Sequence, residues 1–183
     1  MKSIFNKTLV NKNISTFLSA CIPLVCMLFF ISSCERHSTL QTEGEPALHG
    51  VWVQENPPYE SDLRNFTSHE FKFVCDSVYI TLKVREDVQK IPDSCYNNGQ
   101  WEEYAKAVYV TRQDSLIMEG IYCKSDGGLK VAGCYREGQF GPRYKIAHLS
   151  EDSLVLSDRS SLVPIVLKKT MHIDCKPKER WEY

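Results

Sequence analysis

The sequence predicts an all-β fold, an antiparallel up-and-down barrel of eight strands over residues 49–170. The main observation is a triplet, Asp-Ser-aliphatic, that recurs three times at an interval of 38 residues, each time between runs of strand-forming residues. Asp and Ser side chains bond nearby backbone groups and initiate turns, so each copy predicts a tight hairpin. The copies are Asp76-Ser77-Val78, Asp114-Ser115-Leu116 and Asp152-Ser153-Leu154. Three hairpins supply six strands.

Two terminal segments supply the remaining strands, the first over residues 49–54 and the last over residues 163–168. The hairpin strands are predicted around residues 71–74 and 78–84, 108–110 and 116–118, and 144–147 and 154–156. In the strand predicted over residues 78–84, Val78, Ile80, Leu82 and Val84 alternate with polar or aromatic residues. This two-residue period is typical of a strand with one buried face. Eight antiparallel strands with short connections favour a barrel. Residues 87–101 are ambiguous and compatible with a loop.

The first 33 residues have the features of a bacterial export signal and predict a helical signal segment ahead of the barrel. Lys2, Lys7 and Lys12 precede an apolar run over residues 17–31, which as a helix would cover ~22 Å, less than the ~30 Å hydrocarbon core. Ile31-Ser32-Ser33-Cys34 closes this run and resembles the lipobox of bacterial prolipoproteins. The alternatives are an ordinary cleaved signal, which leaves Cys34 a plain thiol, and an uncleaved anchor.

The lipobox resemblance implies cleavage before Cys34 and attachment of acyl chains, including palmitate, to this residue. Two or three chains, at about 0.8 kcal/mol per buried methylene, would anchor the protein stably. The membrane is therefore an expected partner, and the expected location is the cell envelope, at the outer membrane on its periplasmic or surface face. Residues 34–48 are predicted to be a flexible tether, and residues 171–183 a C-terminal tail.

The mature chain would be a single mildly acidic domain. Loss of the three signal lysines leaves 19 basic against 23 acidic residues, a net charge near −4, over 150 residues. This length suits one domain. Nucleic acid is not expected as a partner, because binding it requires a concentrated basic face.

Five cysteines remain after Cys34, an odd number that permits at most two bridges and leaves at least one thiol unpaired within the chain. They are Cys75, Cys95, Cys123, Cys134 and Cys175. Cys123 and Cys134 flank a predicted turn and would face each other across a hairpin, but spacing does not fix the pairing. Burial of each as a small apolar thiol is the alternative.

Gly50-Val51-Trp52 at the head of the first predicted strand resembles the G-x-W signature of lipocalins. Together with the hairpin series and the export signal, the chain resembles a bacterial lipocalin-like lipoprotein over residues 48–170. The resemblance implies that Trp52 plugs the closed end of the barrel and that Gly50 permits a close backbone approach. Lipocalins also set an arginine after the last strand against this tryptophan, where the present chain has Lys168 and Lys169.

An eight-stranded barrel has an interior that is either filled by side chains or able to hold one small ligand. Seven tyrosines would line a pocket mouth or simply pack the core and its rim: Tyr59, Tyr79, Tyr104, Tyr109, Tyr122, Tyr135 and Tyr144. The leading hypothesis is a module that binds a small apolar or amphipathic ligand. The alternative is an envelope interaction or structural protein whose filled barrel docks another protein through residues 87–101 and 133–143. A cavity of ~300 Å³ or more favours the first, and a filled interior with an exposed apolar patch favours the second.

Neither an enzyme, a cofactor nor a metal is expected. Glu102 and Glu103 are adjacent, and neighbours on a strand point to opposite faces. His172-Ile173-Asp174-Cys175 lacks a second pair of metal ligands. The Asp-Ser-aliphatic triplets also resemble the acceptor motif of an O-glycosylation system of some Gram-negative bacteria, with Ser77, Ser115 and Ser153 as attachment sites, although turn chemistry alone explains them.

Overall fold

The computed structural model describes residues 41–159, 161 and 163–178. The predicted signal peptide and Cys34 lie outside the described residues. Nine strands are present in this part of the chain: β1 Gly50–Gln54, β2 Asn65–Val74, β3 Ser77–Glu86, β4 Gln100–Arg112, β5 Ser115–Cys123, β6 Gln139–Phe140, β7 Arg143–Leu149, β8 Ser153–Asp158 and β9 Ile165–Met171. The described helices are one α-helical turn, α1 (Asp93–Tyr96), and three short 3₁₀ segments, Pro46–Leu48, Glu60–Asp62 and Asn97–Gly99. None of them has the length and apolar content needed to cross a bilayer.

The strands close into an eight-stranded antiparallel barrel, which confirms the predicted fold. Pairings run around the sheet from β1 to β5 and from β7 to β9, and β9 returns to pair with β1. β6 and β7 occupy one position, because both pair with β5 on either side of Gly141 and Pro142. The Pro142 carbonyl accepts the Met118 N–H across this break at 3.1 Å, so the ladder continues although proline has no N–H to donate.

The three predicted hairpins are confirmed as the β2–β3, β4–β5 and β7–β8 turns, and the three triplets share one further hydrogen bond. The backbone carbonyl of each triplet aspartate accepts an N–H from a third strand. The pairs are Tyr109 to Asp76 (2.9 Å), Ile146 to Asp114 (2.6 Å) and Lys169 to Asp152 (2.9 Å). Each turn therefore also joins its hairpin to another strand of the barrel.

Strand direction gives the barrel two distinct ends. The closed end carries the three short turns, the start of β1 and the residues before it. The open end carries the longer connections, residues 55–64, 87–99, 124–138 and 159–164. The interior towards the closed end is filled, because Trp52, Phe71 and Phe73 are fully buried among aliphatic side chains. Val78, Ile80, Leu82 and Val84 all face inward in β3, as their alternation predicts.

Residues 41–48 correct the prediction that the tether extends to residue 48. The Thr42 N–H donates to the Asp76 carboxylate at 2.8 Å, and the Glu45 N–H donates to the Tyr109 hydroxyl at 3.1 Å. Leu48, in the 3₁₀ segment, is fully buried. The prediction is wrong here because polar composition does not distinguish free chain from a segment whose polar groups bond to turns, as these do at the closed end.

The closed end contains the features on which the lipocalin resemblance depends. Trp52 is fully buried, and its indole N–H donates to the Leu48 carbonyl at 2.7 Å. The ammonium nitrogen of Lys169 lies 4.6 Å from the centroid of the Trp52 ring and donates to the Ala47 carbonyl at 3.2 Å. Lys169 therefore makes the cation contact for which lipocalins use arginine.

Gly50 has a φ of +136°, and a β-carbon there would lie 2.3 Å from the Met171 carbonyl oxygen. We expect Gly50→Ala to lower the free energy of unfolding by about 2 kcal/mol or more, because backbone strain and a clash act together. Gly127→Ala is the matched control, since Gly127 also has a positive φ but no atom within 4 Å of the position that a β-carbon would take. Urea denaturation measures both; equal losses would contradict the importance of the close approach to β9.

Two disulfides and one free thiol account for the five described cysteines. Cys75 pairs with Cys175 and Cys95 with Cys134, while Cys123 is a buried thiol at the end of β5. The predicted limit of two bridges is confirmed, and the Cys123–Cys134 hairpin pairing is wrong. The chain does turn back beside the end of β5, where Leu129 forms an antiparallel bridge with Cys123. Cys134 lies five residues farther along the loop and bonds instead to Cys95 in α1.

Candidate functional site

A cleft of about 450 Å³ lies at the open end of the barrel. It is formed by the start of β2, the end of β3, the start of β4 and parts of the loops 87–99 and 124–138; we call it the mouth cleft. Its apolar lining consists of Phe66, Val84, Ile91, Trp101 and Tyr135. Its polar lining consists of Asn65, Thr67, Arg85, Glu86, Lys90, Glu103 and Arg136.

An aromatic pair forms part of the wall of the mouth cleft. The rings of Trp101, from β4, and Tyr135, from the 124–138 loop, are nearly parallel, with centroids 5.0 Å apart and planes at 2°. Tyr135 has a φ of +71°, an uncommon conformation for a bulky residue. The loop backbone is thus turned so that its tyrosine reaches the barrel rim and stacks there.

An ion pair between a buried carboxylate and a half-exposed guanidinium lies beside the aromatic pair. Glu103 is 4% exposed and accepts hydrogen bonds from the Trp101 indole N–H at 3.0 Å and the Arg136 backbone N–H at 3.2 Å. The Nε atom of Arg136 lies 3.6 Å from the carboxylate, and the same guanidinium donates to the Tyr122 hydroxyl at 3.5 Å. A buried carboxylate requires such partners. They fix the 124–138 loop over the open end.

The prediction that Glu102 and Glu103 point to opposite faces is confirmed. Glu103 points into the barrel, whereas the Glu102 carboxylate accepts a hydrogen bond from the exposed Tyr104 hydroxyl on the outside. The two carboxylates consequently have separate surroundings.

His69 brings a titratable group to the interior towards the open end. Its Nδ1 atom donates to the Gln54 side-chain oxygen at 2.7 Å, and its ring stacks on Phe71. Burial lowers the pKa of His69 to about 4, and the positive charge of Arg136 contributes in the same direction. The imidazole is therefore neutral near pH 7. Burial likewise raises the pKa of the neighbouring interior residue Tyr144, with a contribution from Asp158.

The low pKa of His69 predicts acid destabilisation. The unfolded imidazole takes up a proton near pH 6.5 but the folded one only near pH 4, so stability is complete above the unfolded value and declines as the pH falls between the two. We expect a loss of about 2–3 kcal/mol. His69→Gln should flatten this part of the stability profile, measured by urea denaturation from pH 7 to 4. His148→Gln, at an exposed position of β7, is the control; an unchanged profile in His69→Gln would contradict the assignment.

The Cys95–Cys134 bridge joins the two loops that form the outer rim of the mouth cleft. Cys95 is in α1 and Cys134 immediately precedes Tyr135 in the chain. The bridge, the aromatic stack and the Glu103–Arg136 pair thus act on neighbouring residues of one loop. Sequence reasoning does not find this arrangement, because all three contacts depend on the path of loops that have no regular period.

The other residues singled out in the sequence lie away from the mouth cleft. Ser77, Ser115 and Ser153, the candidate glycosylation sites, each begin a strand at the closed end. The Ser77 hydroxyl accepts from the Gln41 amide and donates to Asp76, at 3.1 and 3.2 Å. Gly50 and Trp52 lie at the same end. These residues therefore do not form a site with the open end.

The seven tyrosines do not act as one set. Tyr135 lines the mouth cleft, and Tyr122 contacts Arg136 beside it. Tyr59 and Tyr79 are 45% and 48% exposed, and the Tyr109 hydroxyl donates to the Cys75 carbonyl at the closed end. Only part of the set therefore belongs to the mouth.

Among residues 41–178, where described, no group of three or more His, Cys, Asp or Glu side chains is placed to hold a metal ion. Within residues 172–175, the His172 Nε2 atom lies 3.1 Å from the Asp174 carboxylate, and Cys175 forms a disulfide with Cys75.

The closed barrel with its tryptophan-plugged end defines the class of protein as lipocalin-like in fold. Comparison of the chain with known proteins finds no matching family model, no matching curated protein and no matching solved structure. Function is therefore inferred from the site itself.

Proposed function

We propose that the protein is an envelope lipoprotein, anchored through lipid on Cys34, whose lipocalin-like barrel binds a small amphipathic ligand in the mouth cleft. The mouth cleft is the observation that carries the proposal. Its volume of about 450 Å³ lies within the ~300–1,000 Å³ range of small-molecule sites. Five aromatic or aliphatic side chains and seven polar or charged ones line it, a combination suited to a ligand with one apolar face and polar edges.

The position of the amino-terminal segment supports this arrangement. Gln41 and Thr42 contact the β2–β3 turn at the closed end, and the seven residues from Cys34 to Gln41 can span at most ~25 Å. An anchor at Cys34 would hold the closed end near the membrane. The mouth cleft, at the other end of the barrel, would then be accessible from the surrounding compartment.

The proposal is tested by ligand retention. Protein extracted from membranes is expected to carry a stoichiometric small molecule, detected by native mass spectrometry, and Trp101→Ala should lose it because half of the aromatic pair is removed. Tyr79→Ala, on the outer wall and 48% exposed, is the matched control and should retain it. Absence of a small molecule from the wild-type protein, or equal occupancy in Trp101→Ala, would contradict the proposal.

The anchor has its own test. Cys34→Ala is expected to leave the barrel folded and to move the protein out of the membrane fraction, because acyl chains supply the membrane affinity. Persistence of this variant in membranes after a high-salt wash would show that lipid on Cys34 is not the anchor.

A second candidate, docking of another envelope protein by a filled barrel, is favoured by one observation. Tyr79, Val108 and Val110 are 48%, 56% and 50% exposed on the outer face of β3 and β4, and the interior near the closed end is packed. An exposed apolar strip of this kind is typical of contact surfaces. Reduced co-purification of one envelope protein with Val108→Ser, with ligand occupancy unchanged, would support this candidate.

A further inference from the structure

Every cation that lines the mouth cleft is paired. Each of its three cations has a carboxylate partner: Lys90 with Glu86 at 2.9 Å, Arg136 with Glu103 at 3.6 Å, and Arg85 with Glu60 at 3.9 Å and Asp87 at 3.6 Å. An anionic ligand would have to compete with these carboxylates for the cations, and a cationic ligand would have to compete with the cations for the carboxylates. The pairs are partly exposed, with 55% of the Lys90 side chain, 51% of Arg136 and 26% of Arg85 accessible to solvent, so a charged ligand gains little from replacing one partner. The electrostatics of the cleft therefore favour a neutral ligand.

The polar rim of the cleft is unsuited to a purely apolar ligand. An acyl chain seated against Asn65, Thr67 and Glu86 would strip water from their polar atoms and give no hydrogen bond in return. A hydroxyl group, by contrast, both donates and accepts. A ligand with several hydroxyls can bond to both members of an ion pair without disturbing its charge balance.

Part of the apolar wall of the cleft is held in place. The Nζ atom of Lys130 lies over the Tyr135 ring, 5.7 Å from its centroid, so Trp101 is the member of the pair that offers a ring face to a ligand. Trp101 is fixed by its hydrogen bond to Glu103 at 3.0 Å and by stacking on Tyr135. Phe66 adds a third ring to the lining. The face of a sugar ring presents C–H groups that pack on aromatic rings, while its hydroxyls project from its edges. A wall that is already ordered loses little entropy when such a ring binds.

We propose that the mouth cleft binds a neutral carbohydrate of one or two sugar rings, packed on the Trp101 ring with its hydroxyls bonded to the paired charges of the rim. This inference rests on the proposed ligand-binding function and names its ligand class. The cleft volume of about 450 Å³ accommodates a ligand of this size.

The test titrates the full chain, in a polyoxyethylene detergent that carries no sugar, with cellobiose, maltose and di-N-acetylchitobiose while tryptophan emission is recorded. We expect at least one neutral disaccharide to change the emission with a Kd below about 10 mM. Trp101→Phe removes the reporter at the cleft but keeps a ring, so its binding is followed by calorimetry. Trp101→Ala should weaken binding at least tenfold, and Tyr79→Ala should bind as the wild type does.

Two further ligands separate this inference from the proposed function. Glucuronate and laurate supply a charged sugar and an amphipathic chain. Binding of either at the cleft, lost in Trp101→Ala, with no binding of the neutral disaccharides, would overturn the carbohydrate inference and leave the ligand-binding function standing. If neither they nor the disaccharides bind and no small molecule co-purifies, both proposals are overturned. Saccharide binding unaffected by Trp101→Ala would overturn the assignment to this cleft.

Discussion

Removal of the Cys75–Cys175 disulfide by Cys75→Ala and Cys175→Ala is expected to lower the free energy of unfolding by about 3–5 kcal/mol. The bridge spans 100 residues, so its loss enlarges the unfolded ensemble considerably. It also holds residues 172–178 to the closed end, where Cys75 is fully buried. Alanine is preferred to serine, because a hydroxyl at position 75 would be buried. Urea denaturation of the oxidised proteins measures the loss.

Cys95→Ala with Cys134→Ala provides the comparison for this experiment. The two bridges close 100 and 39 residues, and the logarithmic dependence on loop length makes their unfolded-state contributions differ by only about 1 kcal/mol. Their local effects should differ more. Loss of the first should expose the carboxyl-terminal segment to proteolysis, and loss of the second should expose the 124–138 loop. A carboxyl-terminal segment that stays resistant without Cys175 would show that other contacts hold it.

The barrel was predictable because its signals are local. Each Asp-Ser turn fixes the register of its two strands within a few residues, and the alternation from Val78 to Val84 identifies the buried face of β3. The lengths of the strands were harder to predict from the sequence. β4 extends over Gln100–Arg112, far beyond the three residues predicted, because its inward positions hold Glu103, Ala105 and Ala107 and no large aliphatic side chain.

The mouth cleft was not predictable for a different reason. In the sequence Glu103 is an ordinary charged residue beside Glu102, and its burial depends on Arg136, which lies 33 positions away in an irregular loop. The pairing of Cys95 with Cys134 depends on the same loop path. Contacts of this kind are set by tertiary structure, and neither hydrophobic period nor turn chemistry encodes them. The G-x-W signature, by contrast, identified the closed end through its resemblance to lipocalins, although the contact that requires Gly50 is with Met171 of β9, far along the chain.

Lys169 shows how this chain satisfies the closed-end arrangement with a different residue. An ammonium group offers donors around a single centre, so Lys169 reaches both the Trp52 ring and the Ala47 carbonyl. Arginine would add a planar group that stacks on the indole. We therefore interpret the contact as a requirement for a cation at this position of β9, which either side chain meets.

Trp52→Ala is expected to lower the free energy of unfolding by about 3–5 kcal/mol, because truncation leaves a cavity among fully buried neighbours and removes the hydrogen bond to the Leu48 carbonyl. Trp52→Phe keeps much of the packing and should lose less. Urea denaturation compares the two, and hydrogen exchange of residues 46–48 reports whether the 3₁₀ segment detaches.

Lys169 supplies the matched test of the cation contact. Lys169→Met keeps a long flexible side chain without the charge and should cost about 1 kcal/mol in a Trp52 background; Lys169→Arg should cost less. In Trp52→Ala the effect of Lys169→Met should shrink, because the ring it covers is gone, and a double-mutant cycle measures the difference. Equal effects of Lys169→Met in both backgrounds would mean that Lys169 acts through the Ala47 carbonyl alone. Lys169 would then share only its position with the lipocalin arginine, because its contact with the Trp52 ring would not contribute to stability.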